Sequence, residues 1–208
     1  MFITFEGLDF CGKSTQVSLL EEYFLKRNEK VKIIREPGGT LISEKIRNVL
    51  LDNSNSRIKI ETEILLFSAS RAQVVREVIK PYLENNYHII ADRFHDSTFA
   101  YQGFGRQIPL EFVNKINRFA IGNTVPDLTF FIDIPVEEVN KRKLLLNHRE
   151  LDRIENSKDN FYNKVKEGYY YLVQNEKRFK LIDGMLPIGE IHTRIINEIT
   201  EFEQKTLE

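Results

Sequence analysis

The sequence contains only one cysteine, Cys11, among its 208 residues. A single cysteine excludes a disulfide within the chain and fits a reducing compartment. No apolar run approaches the roughly 18 residues that suggest a membrane span. The N-terminus also lacks the basic and apolar pattern of a secretory signal. We therefore expect a cytoplasmic protein with no membrane partner.

An excess of either charge is also missing. The chain has 30 Lys and Arg residues against 31 Asp and Glu residues, which gives a formal net charge of −1. A near-neutral balance offers no electrostatic footprint for nucleic acid, and we expect none as a partner. Repeats and low-complexity tracts are absent as well. With 41% hydrophobic residues, the chain has enough apolar side chains to form one domain with a well-packed core.

Short apolar runs alternate with helical periodicities along the chain. Strands are predicted at 2–5, 30–36, 88–92, 128–134 and 179–183. Helices are predicted at 13–27, 41–51, 60–84, 110–122, 135–145 and from about 187. Continuous apolar strands indicate a mostly parallel sheet with helices on both faces, an α/β fold. A charged segment at about 147–158 is predicted to be a mobile lid within this single domain, 1–208.

The stretch GLDFCGKST at residues 7–15 carries the pattern G-x-x-x-x-G-K-[ST] between a predicted strand and a predicted helix. In such a loop, backbone N–H groups and the helix N-terminus point at phosphate oxygens. Lys13 adds a charge at the β- and γ-phosphates, and Ser14 can ligate Mg²⁺. The pattern predicts a P-loop NTPase-type sheet that binds ATP and Mg²⁺ through Gly7, Leu8, Asp9, Phe10, Cys11, Gly12, Lys13, Ser14 and Thr15.

Polar residues also follow the strand at 88–92, at the sheet edge where open α/β folds bind ligands. Arg93, Ser97 and Tyr101 are spaced i, i+4, i+8, so they share one face if a helix begins at the strand end. Phe67 and Arg71 are one helical turn apart, which suits a ring stacked on a base and a guanidinium at the edge of that base. A core phenylalanine beside a surface arginine is the alternative for this pair.

Seven segments, in order along essentially the whole chain, are FEGLDFCGKST, REPGGT, LLFSASRAQ, ADRFHDSTFAYQG, PDLTFFIDIP, RELDRIE and LIDG. With these segments the chain resembles bacterial thymidylate kinase. The resemblance implies transfer of the γ-phosphoryl group of ATP to dTMP, giving dTDP and ADP in dTTP biosynthesis, by an enzyme that is commonly a homodimer. The alternatives are another deoxynucleoside or nucleoside monophosphate kinase, and a nucleotide-binding module without turnover.

The resemblance implies roles for side chains around the thymidine part of the acceptor. Phe67 would stack on thymine, and Arg71 and Gln102 would bind the edge of the base, with Ser97 nearby. Tyr101 would pack where a ribose 2′-hydroxyl would sit, and its ring would disfavour ribonucleotides.

Other implied roles concern the phosphates and the metal. Arg93 and Arg47 would hold the acceptor phosphate, although Arg47 can also be read as a solvated helix residue. Asp9 would reach the sugar 3′-hydroxyl or a neighbouring arginine, and Asp92 would act near Mg²⁺ and the acceptor. Both aspartates can alternatively serve only to orient arginines. Glu36 would shape the same pocket, or merely pair locally.

Phosphoryl transfer depends on positioning and on positive charge at the moving group. Some proteins with this loop carry an arginine inside it, but this sequence has Phe10 there. The resemblance then implies a lid arginine, for which Arg149 is the first candidate and Arg153 the second, with Arg142 and Lys143 just upstream. Together with Lys13, Asp92 and Arg93, these two arginines form the predicted catalytic set. For Arg153, an ion pair with Asp152 or Glu155 is the structural alternative.

Cys11 lies one residue before Gly12, near the start of the predicted helix. The helix dipole and Lys13 both favour a thiolate, which predicts a thiol that reacts with alkylating reagents and is protected by ATP. The alternative is a small, buried and inert loop residue.

Overall fold

The computed structural model describes residues 1–145 and 151–207, with side chains through residue 205. Within these ranges, the strands are β1 Phe2–Glu6, β2 Val31–Arg35, β3 His88–Asp92, β4 Leu128–Asp133 and β5 Phe179–Asp183. All pair in parallel in the order β2-β3-β1-β4-β5. This confirms the predicted parallel sheet. β1 lies at its centre, where Ile3 pairs with Ile90 on one side and with Leu128 on the other.

Helices cover the sheet. They are α1 Lys13–Lys26, α2 Leu41–Leu51, α3 Ile60–Val74, α4 Lys80–Glu84, α5 His95–Thr98, α6 Leu110–Ile121, α7 Val136–Leu144, α8 Asp159–Asn175 and α9 Ile188–Leu207. π-Helical segments join α3 to α4 at Val75–Ile79 and extend α5 at Phe99–Gly105. In the described part of the chain, no helix has the length and apolar character needed to cross a membrane.

Buried apolar side chains form two clusters that together cover both faces of the sheet. Ile3, Phe5 and Ile90 belong to one cluster, whereas Phe2 and Ile89 belong to the other. Successive strand residues point to opposite faces, which is why an uninterrupted apolar strand fits a sheet with helices on both sides. Each large apolar side chain that is fully buried contributes about 1.5–3 kcal/mol, so the central strands anchor the fold and fix the loop that follows β1.

A close contact between α8 and the π-helical segment after α5 shapes the region beside that loop. A Cβ atom at Gly168 would lie 2.9 Å from the Cα atom of Ala100, and its other near neighbours belong to the Phe104 ring. Only glycine lets the two helices approach this closely. The contact brings two tyrosines of α8, Tyr162 and Tyr169, to the carboxyl edge of β1.

The predicted lid falls partly outside the described residues, because 146–150 are not among them. Its remainder forms a turn in which Asp152 Oδ1 accepts hydrogen bonds from the backbone N–H groups of Ile154 and Glu155, both at 2.8 Å. The Asp152 N–H donates in return to Glu155 Oε2, which is the reciprocal arrangement of a capping box. The Arg153 N–H donates to the carbonyl of Leu51 in α2. This half of the segment is therefore packed on the body, and the mobility of the lid stays a prediction.

Candidate active site

The loop between β1 and α1 has the strand–loop–helix context that the sequence pattern requires. Gly7 has φ +143°, and a Cβ atom there would lie 2.5 Å from the Ile132 carbonyl oxygen and 2.8 Å from Cys11 Sγ. Gly12, with φ +101°, turns the chain into α1. Both positions therefore need glycine, and α1 begins at Lys13 with its first N–H groups unpaired by helix geometry and available to an anion.

Lys13 lies folded against its own loop. Its Nζ donates to the Leu8 carbonyl at 2.8 Å and to the Gly7 carbonyl at 3.4 Å, and it contacts Cys11 Sγ at 3.6 Å. Cys11 is only 2% exposed and belongs to the core. This placement agrees with the buried alternative for the thiol, because the sulfur packs under the loop rather than in the cavity above it.

A cavity of about 560 Å³ lies above the loop at the carboxyl edge of the sheet. Most of the residues expected from the sequence line it: Asp9, Phe10, Gly12, Lys13, Ser14, Thr15, Glu36, Arg47, Phe67, Arg71, Asp92, Arg93, Ser97, Tyr101 and Gln102. Gly7, Leu8, Cys11 and Arg153 are not part of its lining, and Arg149 lies outside the described residues.

Arg93 connects the loop to the wall of the cavity. Its Nη1 donates to the Gly7 carbonyl at 2.8 Å and to Ser97 Oγ at 3.2 Å, and its Nη2 donates to Asp9 Oδ1 at 2.7 Å and to the Tyr101 hydroxyl at 3.0 Å. Burial disfavours ionisation of Asp9, but Arg93 and Lys13 outweigh it and hold the pKa of that carboxyl below its ordinary value. The cluster is thus an ionised, preorganised group of charges.

The reason for this convergence differs from the expected one. The sequence puts these residues on one face only if a helix begins at the end of β3, but Arg93 has φ +71° and α5 begins only at His95. The i, i+4, i+8 spacing is therefore not the spacing of one regular helix. A left-handed turn at Arg93, followed by α5 and its π-helical extension, brings Ser97 and Tyr101 to the guanidinium. Such irregular helices often occur at functional sites.

Arg71 is 2% exposed, so the alternative of a surface arginine is wrong. Its Nε donates to Glu36 Oε2 at 2.7 Å, and its other donors reach Thr98, Asn117 and the Phe94 carbonyl. Burial raises the pKa of Glu36 to about 7 although Arg71 opposes this. Glu36 Oε1 has no hydrogen-bond partner among the described residues. These contacts hold the Arg71–Glu36 pair in place. Among the described residues, they leave Glu36 Oε1 as an acceptor without a partner, in a residue that lines the cavity.

Gln102 belongs to a second buried network. Its Nε2 donates to Glu63 Oε1 at 3.0 Å, and Arg106 Nε donates to the same oxygen at 3.1 Å. Arg153 Nη1 lies 2.6 Å from Glu63 Oε2, and its Nε donates to the Leu50 carbonyl. Among the described residues, the ion-pair partner of Arg153 is therefore Glu63, which the sequence did not single out. This placement gives Arg153 a structural contact, and its catalytic role stays a prediction.

Arg47 is half-buried and lines the cavity, with Nη1 donating to the Pro37 carbonyl at 2.8 Å. It is therefore not a freely solvated helix residue. Burial, followed by the nearby charge of Arg35, lowers its pKa. Arg35 and Arg47 both line the cavity, and their two guanidinium groups favour an anionic ligand there.

Ser14 and Asp92 fit a magnesium ion as part of its ligand sphere. Ser14 Oγ donates to Asp92 Oδ2 at 2.7 Å, and both line the cavity. Over residues 1–145 and 151–207, no group of three or more His, Cys, Asp or Glu side chains forms a complete metal site. Mg²⁺ in phosphotransfer sites is held by one or two protein oxygens, water and substrate phosphates, so this sparse pair suits it.

Comparison with known proteins decides the family. The family model described as Thymidylate kinase matches residues 5–195. The chain belongs to the thymidylate kinase family. It is 45% identical over 214 residues to the thymidylate kinase of Chlorobaculum tepidum, covering 99% of this chain and 100% of that protein. Over 195 residues it is 47% identical to that of Thermosipho africanus, covering 94% and 95%.

A solved structure agrees with this assignment. The thymidylate kinase of Ehrlichia chaffeensis superposes with a TM-score of 0.77 at 33% identity, covering 96% of this chain and 98% of that chain. The thymidylate kinase family phosphorylates dTMP to dTDP with ATP as the phosphate donor. The resemblance seen in the sequence and the expected P-loop fold are thereby confirmed.

One basic side chain reaches the thymidylate kinase phosphate loop from the lid side. Arg142 Nη1 donates to the Phe10 carbonyl at 3.0 Å, and its Nε donates to Glu138 at 2.8 Å. It lines the cavity. Its neighbour Lys143 instead donates to the Glu155 carbonyl at 2.7 Å. Arg142 thus places a positive charge beside Phe10, the loop position at which some other proteins with this loop carry an arginine.

Glu6, Tyr162 and Tyr169 lie behind this thymidylate kinase site, outside the lining of the cavity, and were not singled out from the sequence. Glu6 is the charged last residue of an otherwise apolar strand, directly before the loop. Tyr162 and Tyr169 are seven residues apart in α8, two helical turns on one face. Tyr162 donates to Asp9 Oδ2 at 3.1 Å, and Tyr169 donates to Glu6 Oε2 at 2.7 Å. Two signals in the sequence could have indicated them. One is the charge of Glu6 at the end of a largely apolar strand, and the other is the spacing of Tyr162 and Tyr169 by two helical turns.

Proposed function

We propose that the chain carries out the reaction of its family within this cavity, moving the γ-phosphoryl group of ATP to the 5′-phosphate of dTMP. One observation carries the proposal. The Gly7 carbonyl accepts hydrogen bonds from both Lys13 Nζ at 3.4 Å and Arg93 Nη1 at 2.8 Å. The side chain that would hold the donor phosphates and the one that would hold the acceptor phosphate therefore lie beside the same backbone atom, which supports transfer between two phosphates bound next to each other.

On the donor side, the loop N–H groups and Lys13 hold the β- and γ-phosphates. Ser14 and Asp92 would hold Mg²⁺, which supplies charge neutralisation at the phosphates. A lid arginine completes the positive charge. We keep Arg149 as the first candidate, and the contact of Arg142 with the Phe10 carbonyl makes Arg142 a further one.

On the acceptor side, Arg93 and Arg47 hold the 5′-phosphate, one of whose oxygens attacks the γ-phosphorus as the bond to the β–γ bridging oxygen breaks. Phe67 stacks on the base, and Arg71 and Gln102 meet its edge. Arg71 and Gln102 are nine-tenths or more buried and lie on the cavity wall. Contacts within the protein hold the Arg71 guanidinium and the Gln102 amide in place before the base binds. Donors that are fixed in this way favour selectivity for the base.

The carboxylates and Ser97 position these arginines. Asp9 holds Arg93 at 2.7 Å and Glu36 holds Arg71 at 2.7 Å. Ser97 accepts from Arg93. These contacts support the orienting alternative for Asp9 and a local pairing role for Glu36 in the pocket wall.

A coupled assay for ADP tests the function directly. We expect ADP release from ATP and Mg²⁺ only when dTMP is added, with dUMP, dCMP and thymidine turned over more slowly. Equal or faster turnover of another acceptor would assign a different nucleoside or nucleotide kinase. Nucleotide binding without any ADP release would assign a binding module.

Tyr101 provides a test of sugar selection. Replacing Tyr101 with alanine is expected to relax the preference for dTMP over its ribose counterpart by at least about 10-fold, because the ring no longer fills the space of a 2′-hydroxyl. Tyr101→Phe keeps the ring, so the preference should persist. The hydroxyl donates to Asp9 and accepts from Arg93, so Tyr101→Phe should lower kcat about 10-fold. The ratio of kcat/KM for the two nucleotides is the measurement, and equal ratios in wild type and Tyr101→Ala contradict this role.

We further infer a homodimer formed through the adjacent helices α2, α3 and α6. Their outer faces carry large exposed apolar side chains, including Leu65, Phe112 and Phe119, the last 79% exposed. A second copy presenting the same face would cover this surface by two-fold symmetry. Phe119→Asp is expected to shift the mass in light scattering from dimer to monomer, whereas Leu25→Asp on α1 should not. A monomeric wild type at high concentration contradicts the dimer.

We also propose a cytoplasmic location for the enzyme, because a single cysteine, Cys11, excludes an internal disulfide and fits a reducing compartment. Cell fractionation with an antibody to the chain checks this location.

A further inference from the structure

Glu6 is a carboxylate with no access to solvent, at the end of the central strand and directly before the phosphate loop. Three donors from two other elements reach it. The Phe94 N–H donates to Oε1 at 2.8 Å, while the Ser97 hydroxyl at 2.5 Å and the Tyr169 hydroxyl at 2.7 Å donate to Oε2. A buried carboxylate is costly unless it is hydrogen-bonded, and here its two oxygens share three donors.

Those donors surround Arg93. Phe94 is the next residue in the chain, and Ser97 Oγ and the Tyr169 hydroxyl both accept from Arg93 Nη1, at 3.2 Å and 3.3 Å. Glu6 therefore holds the backbone immediately after Arg93 and two of the acceptors of its guanidinium, without touching the guanidinium itself through any hydrogen bond among the described residues.

Tyr169 comes from a distant part of the chain, and its position is set by packing. Its ring stacks on Phe131 of β4 with centroids 4.8 Å apart, and the preceding residue, Gly168, allows α8 to lie against Ala100. The hydroxyl is thus delivered to Glu6 and Arg93 by a rigid helix. It does not line the cavity, so it acts behind the site rather than in it.

We propose that Glu6 and Tyr169 are positioning residues that fix the Arg93 guanidinium in the orientation that receives the acceptor phosphate. This inference rests on the proposed role of Arg93. The left-handed backbone at Arg93 is an uncommon conformation for a non-glycine residue, and the Glu6–Phe94 hydrogen bond secures it. The Tyr169 hydroxyl links the two groups, because it donates to Glu6 and accepts from Arg93 Nη1. Without these two residues, the arginine would keep its charge and its contacts with the Gly7 carbonyl, Asp9 and Tyr101. Its Nη1 would lose the Tyr169 acceptor and the anchored position of Ser97.

The test separates the phosphate of the acceptor from its nucleoside. Binding of dTMP and of thymidine is measured by calorimetry for wild type, Tyr169→Phe and Tyr170→Phe. Tyr170 is the matched control, because it is the adjacent tyrosine and its hydroxyl donates to Asp133 outside the site. We expect Tyr169→Phe to weaken dTMP about 10-fold, the loss typical of one hydrogen bond to a charged group, and to leave thymidine and ATP binding as in wild type. Tyr170→Phe should leave the affinity ratio of dTMP to thymidine unchanged.

Glu6→Gln keeps the shape of the side chain and replaces one acceptor oxygen by a donor. The same selective loss of dTMP affinity is expected, together with a fall in kcat, because a mispositioned charge also weakens transition-state binding. If Glu6→Gln does not fold, as its melting temperature will show, Tyr169→Phe carries the test alone. Phenylalanine fits the volume of that tyrosine, so folding is retained.

A third variant distinguishes failure of this inference from failure of the proposed function. Arg93→Lys should reduce the affinity ratio of dTMP to thymidine more than Tyr169→Phe does. If Arg93→Lys leaves that ratio unchanged, the role of Arg93 is wrong and the inference falls with it. If Arg93→Lys reduces the ratio but Tyr169→Phe weakens dTMP and thymidine equally, Arg93 keeps its role and the positioning inference is overturned.

Discussion

Replacing Lys13 with methionine is expected to lower kcat by at least about 10³-fold, the scale seen when a charge clamp on a transferred phosphoryl group is removed. Methionine keeps most of the length of the side chain and removes its charge. Because the developing negative charge lies at the γ-phosphate, the loss should appear in kcat and not in dTMP affinity. Single-turnover transfer at saturating ATP measures it.

The control for this variant concerns the loop itself. Lys13 Nζ also donates to the carbonyls of Gly7 and Leu8, so its loss can disturb the loop as well as the chemistry. Dissociation constants for dTMP and the melting temperature must therefore stay close to wild type for the kinetic result to count. A variant that keeps more than about a tenth of the wild-type kcat contradicts a transition-state role for Lys13.

Arg149→Ala is expected to lower kcat by at least about 10²-fold while dTMP binding stays close to wild type, because a contact formed mainly in the transition state affects kcat more than ground-state binding. Arg149 lies outside the described residues, so this expectation rests on the sequence. Steady-state kinetics with both substrates saturating checks it.

Two matched variants decide which lid arginine acts. Arg153→Ala removes the 2.6 Å ion pair with buried Glu63, so a lower melting temperature is expected, with a smaller effect on kcat than Arg149→Ala. Arg142→Ala removes the contact with the Phe10 carbonyl. If Arg149→Ala keeps its kcat and either of the other two loses it, the role belongs to that other arginine.

The strands and the phosphate loop could be predicted because their signals are local. HIIAD at 88–92 was predicted as a strand and forms β3 with those bounds, since five consecutive residues suffice to show a buried strand. The phosphate loop could be predicted from the spacing of Gly7, Gly12 and Lys13 alone. Helix ends were also close: the predicted helix at 41–51 is α2, whose Thr40 caps it by accepting from the Ser43 N–H.

Contacts between distant residues could not be predicted in the same way. Arg153 pairs with Glu63, 90 positions earlier, and nothing in the local sequence names that partner. The condition that a helix begins at the end of β3 is not met, because a left-handed residue at Arg93 precedes α5, and helical spacing cannot show this. Glu6 and Tyr169 meet only because α8 packs on the sheet, which is a tertiary event.

The carboxylate of Glu63 joins the acceptor wall of the cavity to the lid. It accepts from Gln102 on the acceptor wall and pairs with Arg153 at the base of the lid, while 1% exposed. A buried anion with fixed acceptor capacity makes its donors interdependent. We therefore expect a change of the Gln102 contact on base binding to alter the contact of Arg153, and the reverse. By linkage, whatever factor the acceptor contributes to donor affinity through this residue, the donor contributes to acceptor affinity.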